Sequence, residues 1–228
     1  MGIKERQERD REAVRRAILD AARDLFVAEG YQNVSIRKIA ERIEYSPAAI
    51  YSYFQCKDDI FFALAEEGFR LLGHPVDPTF ERPQPLEPLD RIRAIFWNVY
   101  EFSRNHPQYF TLMFVDRSVP RIIREYDRFT FVREMKSHII ADIQRCIDAK
   151  SLPPTVNPLS AFHLLIVAVH GVANMRLSDR GPTEIADELA RDIINVVLAG
   201  LQSGVPLQSA LCPVGEAAHA SLSQRGVV

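Results

Sequence analysis

Apolar residues recur at helical spacing along most of this chain, with charged residues filling the positions between them. From Glu8 to Glu29 a single apolar stripe is followed by Gly30, a residue typical of the position just after a helix end. Ser35 offers an N-cap for a two-turn helix, and Ser46 followed by Pro47 starts a third helix. The first fifty-odd residues therefore predict three helices joined by short turns.

The rest of the chain also has helical periodicity, with one interruption. A fourth helix is predicted over 57–73, and residues 75–88 carry five prolines, which are excluded from helix interiors. Further helices are predicted at about 89–105, 107–115, 119–149, 158–179 and 183–203. After Gly204 we expect a tail with a short helix near 214–222. Because no alternating run of β-branched residues is present, the predicted fold class is all-α with about nine helices.

Residues 35–57 have the pattern of a helix-turn-helix DNA reader. Ile39, Ile50 and Phe54 supply an apolar back, while the small residues 47–49 lie outward and allow close approach to the major groove. Arg37 is the candidate for bidentate guanine recognition, and serine and tyrosine hydroxyls with one lysine suit phosphate oxygens. The candidate DNA-binding residues are Ser35, Arg37, Ser46, Pro47, Ala48, Ala49, Tyr51, Ser52, Tyr53 and Lys57.

This segment closely resembles the TetR family of bacterial transcriptional regulators over roughly residues 10–62. The elements that carry the resemblance are Gly30-Tyr31, the run Ser35–Ala40, the run Ser46–Phe54, and Lys57. The resemblance implies that Arg37 and residues 47–49 face bases while the other candidates face the DNA backbone. One position departs, because the family usually has glycine in the turn where this chain has Glu44. A left-handed backbone there costs on the order of 1 kcal/mol.

The resulting domain prediction has five parts. We expect a helix-turn-helix domain over 1–56, a connecting helix over 57–74 and a proline-rich loop over 75–88. A helical domain for ligand binding and dimerisation follows over 89–203, and a tail over 204–228 completes the 228 residues.

Composition narrows the class and the compartment. The net charge of −2 shows no global preference for nucleic acid, whereas residues 31–57 carry four cations and two carboxylates, a local +2. Cys56, Cys146 and Cys212 are odd in number and widely spaced, so reduced thiols in a cytosol are expected. The first residues lack the apolar core of a signal peptide, and the apolar run Leu164–Val169 is too short for a bilayer. A cytoplasmic protein without a membrane partner is predicted.

Residues 89–203 are rich in aromatic residues and methionine, which suits both an ordinary core and a pocket for a small hydrophobic ligand. His138, His163 and His170 lie on apolar helices and have three interpretations: core histidine, ligand-orienting group or metal ligand. Metal is disfavoured because acidic and cysteine partners are missing at ligand spacing, and no catalytic or cofactor motif is present, so no enzyme and no cofactor are predicted. The candidate ligand residues are Trp97, Tyr100, Phe110, Met113, Phe114, Phe129, Met135, His138, Phe162 and His170.

The final predicted helix is apolar on more than one side, which favours two partners, its own domain and a second copy. The candidate dimer residues are Ile185, Leu189, Ile193, Val197 and Leu201. Gly171 within an apolar helix predicts close approach by another helix or a ligand. His170-Gly171 also resembles the His-Gly element of one TetR sensor-domain subgroup.

These patterns predict a homodimeric repressor that reads a palindromic double-stranded DNA operator and dissociates when a small hydrophobic or aromatic ligand binds. The helix over 57–73 is expected to be the only direct lever between ligand and reader. Half-sites one helical turn apart need recognition helices about 34–36 Å apart, so a ligand that favours another spacing weakens binding. The alternative is a helical small-molecule-binding or enzymatic domain with a vestigial reader.

Overall fold

The computed structural model describes residues 2–73, 86–122, 129–181 and 183–207. Within those ranges the chain is all helical, with no strand. Nine α-helices are described: α1 Ile3–Glu29, α2 Ile36–Arg42, α3 Pro47–Tyr51, α4 Lys57–Gly73, α5 Pro88–Asn105, α6 Pro107–Phe110, α7 Thr130–Asp148, α8 Pro158–Leu177 and α9 Ala186–Gln202. Short 3-10 helices at Tyr31–Asn33 and Thr183–Ile185 and a π-helix at Thr111–Val115 complete the set.

The first three helices begin and end where local side chains dictate. Gly30 follows α1 with φ of 81°, a conformation that glycine adopts without a Cβ penalty, and its N–H returns to the carbonyl oxygen of Phe26. The Ser35 hydroxyl accepts a hydrogen bond from the Lys38 N–H at 3.2 Å, and the Ser46 hydroxyl accepts one from the Ala49 N–H at 3.2 Å. Both predicted N-caps are therefore confirmed.

Contacts divide the chain into two compact units. The first unit comprises residues 1–82 with 98–135, and the second comprises residues 83–97 with 136–228. Helix α5 is continuous but contributes its two halves to different units. This division differs from the predicted boundary at residue 89, because α6 and the π-helix pack on α1 and α4. The predicted functional boundaries stay a prediction.

Aromatic rings pack against one another in the core of the first unit. Phe26 and Phe61 are 1% exposed and both pack on Tyr31, which closes the turn after α1. Along α4, the Phe69 ring contacts those of Phe114 and Phe129 with centroids 5.9 and 6.1 Å apart. Such edge-to-face ring pairs add to the hydrophobic stabilisation of burial.

The second unit is built on the α8–α9 pair, with α7 and the first half of α5. Asp142, 5% exposed, accepts hydrogen bonds from Arg91 at 3.1 Å and from Arg145, which joins α7 to α5. Burial of a carboxylate is costly unless it is paired and hydrogen-bonded, and the two arginines meet that requirement. The buried residues of α8 are apolar except for one serine, and they are Ser160, Ala161, Leu165, Val169, Val172 and Ala173.

Three helix predictions need correction or fall outside the described residues. Helix α1 begins at Ile3, five residues before the predicted start. The predicted helix over 119–149 is wrong at its start, since residues 119–121 are irregular and α7 begins at Thr130. Most of the proline-rich loop, the tail beyond residue 207 and the predicted helix near 214–222 lie outside the described residues.

Helix α8 alone among the described helices has the length and hydropathy of a membrane-spanning segment, with 20 residues and a mean hydropathy of 1.4. A core or interface helix of a soluble protein has the same composition. One such helix is therefore weak evidence for a membrane, and its outward residues bear on assembly below.

Candidate nucleic-acid interface

The α2–α3 pair is held together by a buried apolar back and a tight turn. Ile39 and Ile50 are 0% exposed and Phe54 is 6% exposed. In the turn, the Tyr45 N–H donates to the Ala40 carbonyl oxygen at 2.9 Å, and Glu44 adopts φ of 60°. The expected left-handed backbone at Glu44 is thus confirmed, and this chain accepts its conformational cost without glycine.

The outward side of α3 presents small residues. Ser46, Pro47 and Ala48 are exposed and Ala49 is partly exposed, so the first turn of α3 is accessible from solvent. Tyr51 is 55% exposed at the end of the helix. A helix with such a bare first turn can bring its backbone close to base edges in the major groove.

The serine hydroxyls differ in what they have left to offer DNA. Ser35 and Ser46 use their oxygens as cap acceptors, which leaves the O–H free to donate to a phosphate oxygen. Ser52 instead donates its O–H to the Ala49 carbonyl oxygen at 2.6 Å. It therefore offers only its oxygen in this conformation, a poor match for an anionic phosphate.

Most cations predicted for this surface are already engaged within the chain. Arg37 pairs with Glu41 at 2.9 Å, but both side chains are largely exposed, at 81% and 62%, so water or DNA can replace that pair easily. Lys38 pairs with Glu29. Because Glu29 lies outside residues 31–57, the local charge of +2 overstates the positive potential that α2 and α3 offer to DNA.

Lys57 was predicted to contact a DNA phosphate, but its ammonium forms hydrogen bonds within the chain. Its ammonium donates to the carbonyl oxygens of Tyr31 at 2.8 Å and Val34 at 3.0 Å, and lies 4.1 Å from the Tyr31 ring centroid. Burial lowers the pKa of Lys57, while the neighbouring Asp58, which also accepts from the Tyr31 hydroxyl, raises it. Lys57 therefore joins the start of α4 to the turn after α1.

We expect Lys57→Ala to lower the free energy of unfolding by about 1–3 kcal/mol, because two buried carbonyl oxygens lose their donor. Lys38→Ala removes an equal charge from a surface pair and should cost less than about 1 kcal/mol. Urea unfolding of both variants, followed by circular dichroism, checks this. Equal losses in the two variants would contradict the structural role of Lys57.

Comparisons with known proteins agree with this geometry. Residues 18–64 match the family model described as bacterial regulatory proteins, tetR family. The HTH-type transcriptional repressor Rv1474c of Mycobacterium tuberculosis is 46% identical over 55 residues, which cover 24% of this chain and 29% of that protein. The HTH-type transcriptional regulator AcrR of Shigella flexneri is 25% identical over 192 residues, covering 81% and 87% of the two chains. Residues 18–64 are therefore similar to the DNA-binding segment of the TetR family.

The fold extends the likeness beyond the matched segment. The fatty acid degradation regulator FadR from Bacillus halodurans superposes with a TM-score of 0.67, covering 82% of this chain and 96% of that one, at 14% sequence identity. Identity this low supports the shared fold alone. The chain spans less than a third of the length of Rv1474c, so the likeness to that repressor concerns the amino-terminal helices.

A polar network joins α1 to both α4 and α6. Arg16 donates to Glu67 of α4 at 2.5 Å and to Asp20 at 2.6 Å, and the Tyr109 hydroxyl of α6 lies 3.4 Å from both Arg16 and Arg23. The hydrogen bond from Arg16 is the main reason that the pKa of Asp20 is lowered. The prediction that α4 is the only direct lever is therefore wrong, because α1 also contacts α6.

The predicted ligand residues fall into two groups. Tyr100, Phe110, Met113, Phe114, Phe129 and Met135 belong to the first unit. Trp97, His138, Phe162 and His170 belong to the second. Tyr100 is 0% exposed and is a core residue of its unit, whereas His138 is exposed. The ligand role of all ten residues stays a prediction.

Within the second unit, Trp97 and Phe162 lie close to cations. The Arg191 guanidinium lies 3.9 Å from the Trp97 ring centroid, and the Lys136 ammonium lies 5.3 Å from that of Phe162. Among the described residues, no group of three or more His, Cys, Asp or Glu side chains is arranged to hold a metal ion.

Because His170 is largely buried, we expect the stability of the fold to decline in acid. Burial lowers its pKa from 6.5 to about 4. As pH falls below 6.5, the unfolded chain takes up a proton that the folded chain resists until about pH 4, so stability declines across that window, by up to about 3 kcal/mol. Urea unfolding of wild type and His170→Gln at pH 7.5 and 5 checks this. The variant should lose less stability on acidification, and identical losses would contradict the prediction.

The predicted dimer residues are only partly available to a second copy. Ile185 is 50% exposed, and Leu189, Ile193 and Val197 are half-buried. Leu201 is 2% exposed within its own chain, so its assignment to a dimer surface is wrong. The sequence missed the most exposed apolar side chains on these helices, Val167 at 68% and Val196 at 64%. Gly171 is also exposed, and among the described residues no atom beyond its own stretch of helix lies within 4 Å of the position that a Cβ would take, so no other described helix packs closely on it.

Proposed function

We propose that this protein is a homodimeric, cytoplasmic transcriptional regulator that binds a palindromic DNA operator through α2 and α3. The observation that carries the proposal is the exposed first turn of α3, capped by Ser46 and backed by the buried Ile50. Pro47 and Ala48 are exposed among the residues that the structure describes, and their size suits a helix lying deep in the major groove. Arg37 extends from α2 beside them to contact a base.

The dimer of this proposal forms through the outward faces of α8 and α9. On α8 the exposed positions Leu164, Val167, Gly171 and Asn174 follow helical spacing and form one stripe. Val196 and Ile185 give α9 an apolar surface as well. Apolar side chains this exposed on a 20-residue helix favour a protein interface, and two-fold pairing places two readers on one duplex.

Release from DNA is proposed to follow binding of a small hydrophobic or aromatic ligand among the carboxy-terminal helices. The support is the density of aromatic side chains there, together with the network that joins α6 to α1 and α4. A ligand that displaces α6 would act on α1 through Tyr109 as well as on α4. To release the protein from DNA, the ligand must bind the DNA-free state more tightly than the DNA-competent state.

Binding-site selection from random duplex DNA tests the whole proposal. Purified wild-type protein should enrich a palindrome whose half-sites lie about one helical turn apart. Repeating the selection with a panel of hydrophobic compounds should identify one that reduces recovery of that palindrome. Failure of the wild-type protein to enrich any sequence would overturn the proposal.

A further inference from the structure

The surface of α2 and α3 has a small net positive charge, because Arg37, Lys38 and Arg42 are accompanied by Glu41 and Glu44, and Lys38 is also paired with Glu29. Duplex DNA carries one negative charge per about 1.7 Å of axis, and most of the affinity of its protein partners comes from cations that neutralise phosphates. On the proposed function, the recognition surface therefore needs cations from another element. The amino-terminal half of α1 brings such cations to it.

Two arginines of α1 lie against the end of α3. The Arg11 guanidinium is 5.9 Å from the Tyr53 ring centroid, and the Arg15 guanidinium is 5.6 Å from that of Phe54. These distances are within the range of cation–π contacts. Arg11 remains exposed, so its charge is accessible at the edge of the recognition surface beside Tyr51 and Tyr53.

The helical spacing of α1 places a second cation on the same face as Arg11, nearer the amino terminus. Lys4, Arg11 and Ile18 are seven residues apart and so lie on one face of the helix. Ile18 is 0% exposed, so this face of α1 is the one that packs against the core of the first unit. Glu8 is the carboxylate beside them, while Arg6 and Arg9 lie on the far side of α1.

The first turns of α1 extend beyond the packed core. Every side chain from Lys4 to Ala13 is exposed, and α1 begins well before residue 18, where the family match starts. Because the ends of helices fray, a contact with a molecule outside the chain would order these turns. The continuity of the Lys4–Arg11 face with the recognition surface, and its positive charge, identify the contact as phosphate.

We propose that Lys4 and Arg11 form a second DNA contact that binds backbone phosphates flanking the bases read by α3. The inference rests on the proposed DNA-binding function. Because phosphates carry no base identity, this contact adds affinity and salt dependence without changing the sequence selected. It also orders the amino-terminal turns of α1 on the duplex.

The test compares two double variants that remove equal charge from the same helix segment. Lys4→Ala/Arg11→Ala alters the proposed face, and Arg6→Ala/Arg9→Ala alters the opposite one. Affinity is measured by fluorescence anisotropy from 50 to 300 mM salt on the duplex that wild type selects from random DNA. Hydroxyl-radical footprinting of the same duplex locates the contacted sugars and phosphates.

We expect Lys4→Ala/Arg11→Ala to weaken binding by about tenfold or more and to reduce the salt slope by about two per half-site. Protection should be lost outside the selected half-sites and retained within them. The Arg6→Ala/Arg9→Ala protein should keep a slope near that of wild type. Equal slopes and footprints for the two double variants would overturn the inference, as would loss of protection only at the central bases.

Two controls separate this inference from the function on which it rests. If wild type selects no duplex, the DNA-binding function itself is wrong. If wild type selects a duplex and both double variants bind it equally, only the α1 contact is wrong. Thermal unfolding checks that each variant stays folded. A Lys4→Ala/Arg11→Lys protein should have a steeper salt slope than Lys4→Ala/Arg11→Ala, because it keeps the charge at position 11.

Discussion

Ala48→Glu should abolish specific DNA binding while the protein remains as stable as wild type. Ala48 is exposed in the first turn of α3, where the proposed function places it against base edges. A glutamate there adds bulk and a negative charge in each half-site of the dimer. With a cost of about 1–3 kcal/mol per disrupted base contact in each half-site, affinity should fall about 100-fold or more.

Stability should not fall with affinity, and this separates the effect from unfolding. A carboxylate in the first turn of a helix interacts favourably with the helix dipole, so Ala48→Glu is expected to unfold at the same temperature or slightly higher. Ala48→Ser keeps a small side chain and should retain most binding. Ala13→Glu adds the same charge to an exposed helical position on the far side of α1. Anisotropy titrations of the three variants check this, and wild-type affinity in Ala48→Glu would exclude α3 from the groove.

Val167→Asp should convert the dimer to a monomer and weaken DNA binding with it. Val167 is 68% exposed on the outward stripe of α8, and two-fold pairing would bury one aspartate from each copy in the same interface. An unpaired carboxylate in such a place costs several kcal/mol. Without a second reader the advantage of bivalent binding is lost, and affinity for the palindrome should fall about 100-fold or more.

Sedimentation equilibrium gives the mass of each protein directly. Val205→Asp introduces the same change at a valine that is 55% exposed beyond α9, and it should remain dimeric. Val196→Asp should behave as Val167→Asp does if α9 shares the interface. A Val167→Asp protein that keeps the mass and affinity of wild type would place the dimer surface elsewhere.

Local sequence signals predicted the helix-turn-helix of α2 and α3 well, because each signal depends on neighbours within one helical turn. Ser35 and Ser46 cap helices through N–H groups three residues ahead, and Pro47 needs only its own φ to start α3. Glu44 also followed from its place in the turn. Such effects act over a few residues, so they can be recognised from the sequence alone.

Side chains whose partners are distant in sequence were harder to assign. Lys57 reaches carbonyl oxygens more than twenty residues away, and Tyr109 meets Arg16 from 93 residues further along the chain. Arg11 looks like any solvated arginine until α1 is packed beside Tyr53. Charge counts along the sequence could not show which cations were already paired.

The sequence by itself determined the all-α class, the helix-turn-helix and its resemblance to the TetR family, because periodicity, caps and turn residues are local properties. Tertiary structure alone decided which residues turn inward, as with Leu201, and which remain outward, as with Val167. It also decided that α6 packs with α1 and α4 in one unit. The physical reason is that burial and long-range pairing depend on which helix faces meet, and an amphipathic stripe does not specify its partner.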